Sequence, residues 1–215
     1  MINNPILIIG SSGSIGNPLV NELENIGYIC ITPSSKLLNI KEKNSIESFK
    51  DNLPLLSGII ILAGKEPSQN LEEIEWDHLE EMISIHFKGV LWCIKCFKEK
   101  IVKGGFIITT SSIAAYKGSY DPSYSSMKSA IEGLTRTLVK DLSPNIRINS
   151  VAPGLIEDSK VYNNMTDNFK QNHLNNIPLC KFAKVKDIIS TYLFLIQNQH
   201  ITGQTIHING GQYNK

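Results

Sequence analysis

Short runs rich in Ile and Val alternate with amphipathic stretches along all 215 residues, and this alternation restricts the fold more than any other feature. Ile6–Ile9, Tyr28–Ile31, Gly58–Leu62, Phe106–Thr109, Ile146–Val151 and Thr205–Ile208 are bounded by Gly, Pro or Ser and read as strands, several of them buried on both faces. Helical patterns occupy Pro18–Asn25, Ser45–Asp51, Ile74–Val102, Ser123–Leu142 and Lys186–Gln197. Strand–helix–strand order predicts an α/β chain, a Rossmann-type doubly wound parallel sheet with helices on both faces. No repeat, low-complexity linker or convincing boundary divides it, so a single domain over residues 1–215 is expected. One connection is irregular. Only a few residues separate Thr32 from the apolar Leu37–Ile40, whereas a parallel crossover needs a dozen or more. The connection between strands 2 and 3 is therefore shortened, and a third strand at Leu37–Ile40 is expected to be short or loosely held at the sheet edge.

Charge narrows the partners. A net charge of +1 excludes the footprint of a nucleic-acid binder and a polybasic membrane surface. No apolar run approaches the roughly 20 residues that span a bilayer, and the start of the chain lacks the pattern of a secretory signal, which points to the cytoplasm. Cys30, Cys93, Cys96 and Cys180 do not form a disulfide framework, and the Cys93-x-x-Cys96 pair lacks the second pair a structural zinc needs. The pair reads as buried helix thiols, and no metal is expected.

Two motifs carry chemistry. Gly10-Ser-Ser-Gly13-Ser-Ile-Gly16 lies between the first strand and the first helix, where glycines allow a sharp turn and free helix N–H groups receive a pyrophosphate. A purely structural Gly/Ser turn is the competing reading, and the strand–loop–helix setting favours the dinucleotide. Tyr124-Ser-Ser-Met-Lys128 places an amine one helical turn beyond a phenol. A nearby cation favours phenolate and draws its pKa down from about 10. Such a pair is common on helix surfaces, so its company matters. The Phe106–Thr109 strand runs into Thr110-Ser111-Ser112, and the Ile146–Val151 strand into Ala152-Pro153-Gly154, both at the sheet edge where ligands bind in open α/β sheets.

The run Gly104–Gly154, with Tyr124-x-x-x-Lys128 at its centre, together with Pro178-Leu-Cys-Lys-Phe and Ile201-Thr-Gly-Gln-Thr-Ile-His-Ile-Asn-Gly-Gly211, resembles the short-chain dehydrogenase/reductase family. The similarity is to the branch that includes 3-oxoacyl-acyl-carrier-protein reductases, and it extends over nearly the whole chain. It implies hydride transfer between a nicotinamide dinucleotide and a small carbonyl or alcohol. Tyr124 would exchange the proton with the substrate oxygen, Ser112 would orient that oxygen, and Lys128 would hold the nicotinamide ribose and lower the tyrosine pKa. Gly10, Ser12, Gly13, Ser14, Ile15 and Gly16 match the phosphate loop. Thr32 and Ser34 follow the second strand, and Asn39, with Ile40 beside it, stands where the family commonly has an adenine-contacting Asp. Ala63 and Gly64 match the strand end beside the adenosine ribose, and Pro153, Gly154 and Ile156 the segment along the nicotinamide. The resemblance also implies a homodimer or homotetramer packed through the two long helices.

The sequence departs from that pattern in three places. The glycine spacing is G-x-x-G-x-x-G, nearer to nucleotide-sugar epimerases, which keeps a nucleotide-sugar reductase or epimerase-like activity as an alternative. Ile61-Leu62 replaces the usual Asn-Asn before Ala63-Gly64. His86 stands at the position of the family's fourth catalytic residue, an Asn that holds a relay water. Its imidazole reads either as a substitute in the relay or as a satisfied helix histidine without that role. A decayed relay would leave a non-catalytic dinucleotide-binding scaffold or sensor. After the second strand, Thr32-Pro-Ser34-Ser35-Lys36 has no acidic residue to repel a 2′-phosphate, which favours NADP(H) over NAD(H) while both stay compatible. Residues 155–181 are polar and Asn-rich, and the resemblance makes them a mobile substrate lid.

Overall fold

The structure is a computed structural model that describes residues 4–157 and 159–213. Six strands, β1 (Ile6–Ile9), β2 (Cys30–Ile31), β3 (Leu56–Ile61), β4 (Ile101–Thr110), β5 (Ile146–Pro153) and β6 (Thr205–Ile208), form one sheet in the order β2-β1-β3-β4-β5-β6. Every pairing is parallel. Helices α1 (Gly16–Asn25), α2 (Lys43–Asp51), α3 (Trp76–Ile83), α4 (Val90–Phe97), α5 (Ala114–Lys117), α6 (Pro122–Leu142), α7 (Lys160–Asn163), α8 (Asp167–Asn175) and α9 (Val185–Gln197) complete the chain. Among the described residues, no helix is long and apolar enough to cross a membrane.

The sheet is covered on both faces because its inner strands have no polar side. Along β1 all four side chains are buried. Leu7 and Ile9 point into a core shared with Phe97 and Ile131, and Ile6 and Ile8 into a second core shared with Leu19 and Tyr192. The two-residue side-chain period of a strand splits one apolar run between two cores in this way.

The strand expected at Leu37–Ile40 does not form. These residues lie in turns, and the chain goes from β2 through the irregular segment 32–42 into α2 before reaching β3. A segment this short cannot supply a crossover. Leu38 and Ile40 instead bury their side chains against the first core, 4 % and 8 % exposed. The predicted second strand is also trimmed, to Cys30–Ile31. Tyr28 is held in a turn by its N–H to Leu23 O, and Ile29 is exposed.

The helix expected over Ile74–Val102 is interrupted and shorter. A π-turn at Ser84–Gly89 separates α3 from α4, a 3-10 turn at Lys98–Lys100 ends the helical run, and Ile101 already belongs to β4. Gly89 is where the irregular segment crosses this helix, and a Cβ there would sit 2.5 Å from Ile40 O. A π-turn inserts an extra residue and re-aims its neighbours, and it recurs at functional sites. Here it turns His86 inward.

Candidate active site

Chain direction brings the site residues to one edge. β1 connects outward to β2 and then returns past itself to β3, so the switch point lies between the carboxyl ends of β1 and β3, where open α/β sheets open a crevice. Gly10 leaves β1 at φ +91°, and a Cβ on it would stand 2.5 Å from Ala63 N. At Gly16 a Cβ would meet Gly10 O at 2.3 Å. Only glycine permits this close return of the backbone. No side chain caps the first turn of α1, whose boundary residue is Ile15; Asn17 N donates to Gly13 O at 3.1 Å, Leu19 N to Ile15 O at 3.0 Å, and Pro18 has no N–H, so among the amides of that turn Gly16 N is left for another acceptor. The residues present therefore fit a pyrophosphate at the helix N-terminus.

A cleft of about 500 Å³ runs from this loop across the ends of β3, β4 and β5. Gly10, Gly13, Ser14, Ile15, Gly16, Gly64, His86, Ser112, Tyr124, Lys128, Pro153, Gly154 and Ile156 all line it. Ser12, Thr32, Ser34, Asn39, Ile40 and Ala63 do not. Asn39 spends its side chain locally, its Nδ2 donating to Glu42 Oε1 at 2.7 Å and its Oδ1 accepting from Lys41 N at 3.2 Å.

Ser112, Tyr124 and Lys128 converge. Ser111 N donates to Val151 O at 2.8 Å and Ile113 N to Pro153 O at 2.9 Å, which fixes the segment beyond β4 against β5. The Ser112 hydroxyl, whose Oγ accepts from Ala114 N at 3.1 Å, stands near enough to the Tyr124 phenol to favour its ionised form. Lys128 Nζ donates to Thr110 O at 3.0 Å and lies 5.5 Å from the centre of the Tyr124 ring. Burial lowers the Lys128 ammonium to about 8. Burial raises the Tyr124 phenol, the Ser112 hydroxyl opposes that rise, and Glu66 and Asp121 add to it. The lowered tyrosine pKa expected from Lys128 is therefore absent from the protein alone. The ammonium is committed to a carbonyl and the phenol has lost water, a loss that disfavours phenolate.

His86 is 1 % exposed, edge-on to the Tyr124 ring with centroids 5.7 Å apart. Its Nε2 lies 3.0 Å from both Lys65 N and Lys65 O. Burial first, and then the Lys128 charge, push the imidazole down to about 3, so it is neutral at physiological pH. Gly64 makes room for it, since a Cβ there would come within 2.8 Å of His86 Cε1.

Three further residues shape the site. Asp121, fully buried, accepts from Ser123 Oγ at 2.6 Å and Tyr124 N at 3.0 Å through Oδ1. Through Oδ2 it accepts from Ser68 N at 3.0 Å, Gln69 N at 3.4 Å and His78 Nε2 at 3.0 Å. One carboxylate thus joins the start of the tyrosine helix to the loop after β3. Its sequence signal was Asp followed by Pro at a helix start, a cap pattern. Glu132, 3 % exposed, accepts from Ser111 Oγ at 2.8 Å and from the Tyr116 hydroxyl. Lys117 lines the outer cleft. No sequence pattern marked the last two.

Comparison with known proteins agrees with this architecture. The family profile described as enoyl-(acyl carrier protein) reductase matches residues 41–213, which excludes the glycine loop. A 3-oxoacyl-acyl-carrier-protein reductase of Staphylococcus epidermidis is 37% identical over 149 residues, covering 66% of this chain and 59% of that protein. The reductase of the same name from Aquifex aeolicus is 27% identical over 220 residues, covering 97% of this chain and 87% of its own length. Among solved structures, a small-chain dehydrogenase in complex with NADPH superposes with a TM-score of 0.88 at 26% identity, covering 97% of this chain and 98% of its own. A sheet of this order, with a cleft at its switch point and matched by that profile over most of its length, identifies the chain as belonging to the short-chain dehydrogenase/reductase family.

Proposed function

We propose that this protein reduces a small carbonyl compound, or oxidises the corresponding alcohol, with Tyr124 as general acid/base and NADP(H) as the preferred cofactor. The observation that carries the reading is the meeting of Ser112, Tyr124 and Lys128 in the cleft that begins at the glycine loop. A bound nicotinamide dinucleotide supplies the hydride. Ser112 and Tyr124 hold the substrate oxygen between two hydroxyls, and Tyr124 passes it a proton as negative charge develops. Lys128, kept by Thr110 O beside the phenol, opposes that negative charge when the proton leaves. Ile15, Leu62, Pro153 and Ile156 line the same cleft and limit water. His86 serves as a neutral strut that fixes the Lys65 backbone beside the tyrosine. The preference for NADP(H) rests on Ser34, Ser35 and Lys36 after β2 and on the lack of a carboxylate in that turn.

The test is oxidation of NADPH and NADH by the purified protein across aldehydes, ketones and β-ketoacyl thioesters. Tyr124→Phe and Lys128→Ala each lower carbonyl-dependent turnover by at least a thousandfold, and the wild type prefers NADPH. Full turnover by Tyr124→Phe would defeat the mechanism, and tight dinucleotide binding without turnover on any carbonyl would favour a binding scaffold.

A further inference from the structure

The outer half of the cleft holds a positive charge, Lys117, that has no counter-charge among the described residues. Lys117 is the last residue of α5, and Gly118 follows at φ +85°, turning the chain away and leaving the lysine on the cleft wall. Its ammonium has no hydrogen-bond or ion-pair partner among the described residues, and burial lowers its pKa. The same cleft is lined by His173, on α8, itself held below its ordinary value by burial and by the Lys117 charge. Its Nδ1 is buried and, among the described residues, without a partner. Tyr120, Met165 and Phe169 line the cleft beside them. Of the other lining cations, two are engaged elsewhere. Lys65 pairs with Glu81 at 2.5 Å, and Lys128 is bound to Thr110 O. Glu66 acts on Tyr124 and Tyr120, with no counterpart influence on Lys117. Lys160, on α7, also lines the cleft, and its ammonium has no ion-pair partner among the described residues.

An unpaired cation and an unpartnered imidazole nitrogen, flanked by apolar side chains, form a receptor for a single negative charge. Removal of water strengthens a charge-assisted hydrogen bond there. Building on the carbonyl-reductase reading above, we propose that the substrate is an oxo acid whose carboxylate is held by Lys117 and His173 while its ketone faces Ser112 and Tyr124. One lysine and a neutral imidazole match a monoanion. The two come from different elements, α5 and α8, so the bound carboxylate also links those two elements.

The experiment compares 3-oxobutanoate, 4-oxopentanoate and 5-oxohexanoate with their methyl esters, NADPH being saturating. In the wild type, kcat/KM for at least one acid exceeds that of its ester tenfold or more. Lys117→Gln lowers that acid-to-ester ratio at least tenfold, chiefly through KM for the acid. Lys117→Arg restores most of it, and His173→Leu lowers it less than Lys117→Gln. Esters reduced as well as acids, or a ratio unmoved in Lys117→Gln, would overturn the carboxylate assignment and leave the reductase intact. No reduction of any acid or ester would overturn both.

Discussion

Replacing Asp121 by Asn tests whether one buried carboxylate assembles the site. The substitution keeps the shape and removes the charge. Five donors converge on this group, and an amide presents N–H to at least one of its two clusters of donors. Turned the cheaper way, the amide nitrogen faces Tyr124 N and Ser123 Oγ. The hydroxyl can rotate to accept, but the Tyr124 N–H cannot. An orphaned buried donor costs about 1–3 kcal/mol, and the bonds that survive lose the strength the charge gave them. The total loss is about 3–5 kcal/mol, the range found when one partner leaves a buried charged network. Acid provides an independent check. Burial alone would raise the Asp121 carboxyl, but Ser123 Oγ and the N–H groups of Ser68, Tyr124 and Gln69 outweigh it and bring it from 3.8 to about 2. A depressed carboxyl stabilises the fold fully above the unfolded value and loses that contribution as pH falls through the folded value, about 2 kcal/mol in all. Urea unfolding followed by circular dichroism at pH 7, 5 and 3 reads both effects. The wild-type advantage is constant between pH 7 and 5 and narrows by about 1 kcal/mol at pH 3. An advantage below about 1 kcal/mol at pH 7, or one that does not shrink at pH 3, would refute the reasoning.

Two other outcomes follow from the same geometry. Gly10→Ala forces a side chain into a φ of +91° and to 2.5 Å from Ala63 N, so it costs about 3 kcal/mol or more and weakens NADPH binding at least tenfold by calorimetry; an affinity within threefold of wild type would refute the close-return argument. The pH profile of kcat/KM is flat from 5 to 7, because His86 titrates only at about 3, and falls above about 8 as Lys128 loses its proton, whereas an inflection near 6.5 that vanishes in His86→Asn would show a titrating relay imidazole.

What was legible in the chain follows the range of the interactions involved. β1 and β6 fall at their predicted ends because their patterns are local, and β1 is bounded directly by Pro5 and Gly10. The convergence of Ser112, Tyr124 and Lys128 was also legible, since a strand end and an i,i+4 pair are short-range statements once the sheet is parallel. Features set by distant chain were hidden. The π-turn at Ser84–Gly89 depends on Gly89 lying against Ile40 O, and the inward turn of His86 on room left by Gly64. The sign of the Tyr124 shift depends on how much water the folded cleft removes, which no spacing encodes.

His86 illustrates why such features matter to mechanism. An imidazole in that helix reads from sequence as a substitute in the relay or as a satisfied helix histidine without that role, and its burial and its hydrogen bond with the Lys65 backbone agree with the second. At 1 % exposure, 3.0 Å from the Lys65 backbone and beside a lysine charge, it cannot hold a proton near neutrality, yet it fixes the loop that forms the cleft wall against the tyrosine ring. Asp121 grips the next turn of that same loop at Ser68 and Gln69 while capping the tyrosine helix. The wall carrying Lys65, Glu66 and Pro67 is thus pinned at both ends to residues that touch or precede Tyr124. Rigid placement of the phenol comes from neutral and fully paired groups, and that leaves Lys128 as the titrating cation beside it. If proton transfer is rate-limiting, loosening either pin lowers kcat more than it raises KM for the carbonyl, because placement of the acid is felt at the transition state rather than in ground-state binding.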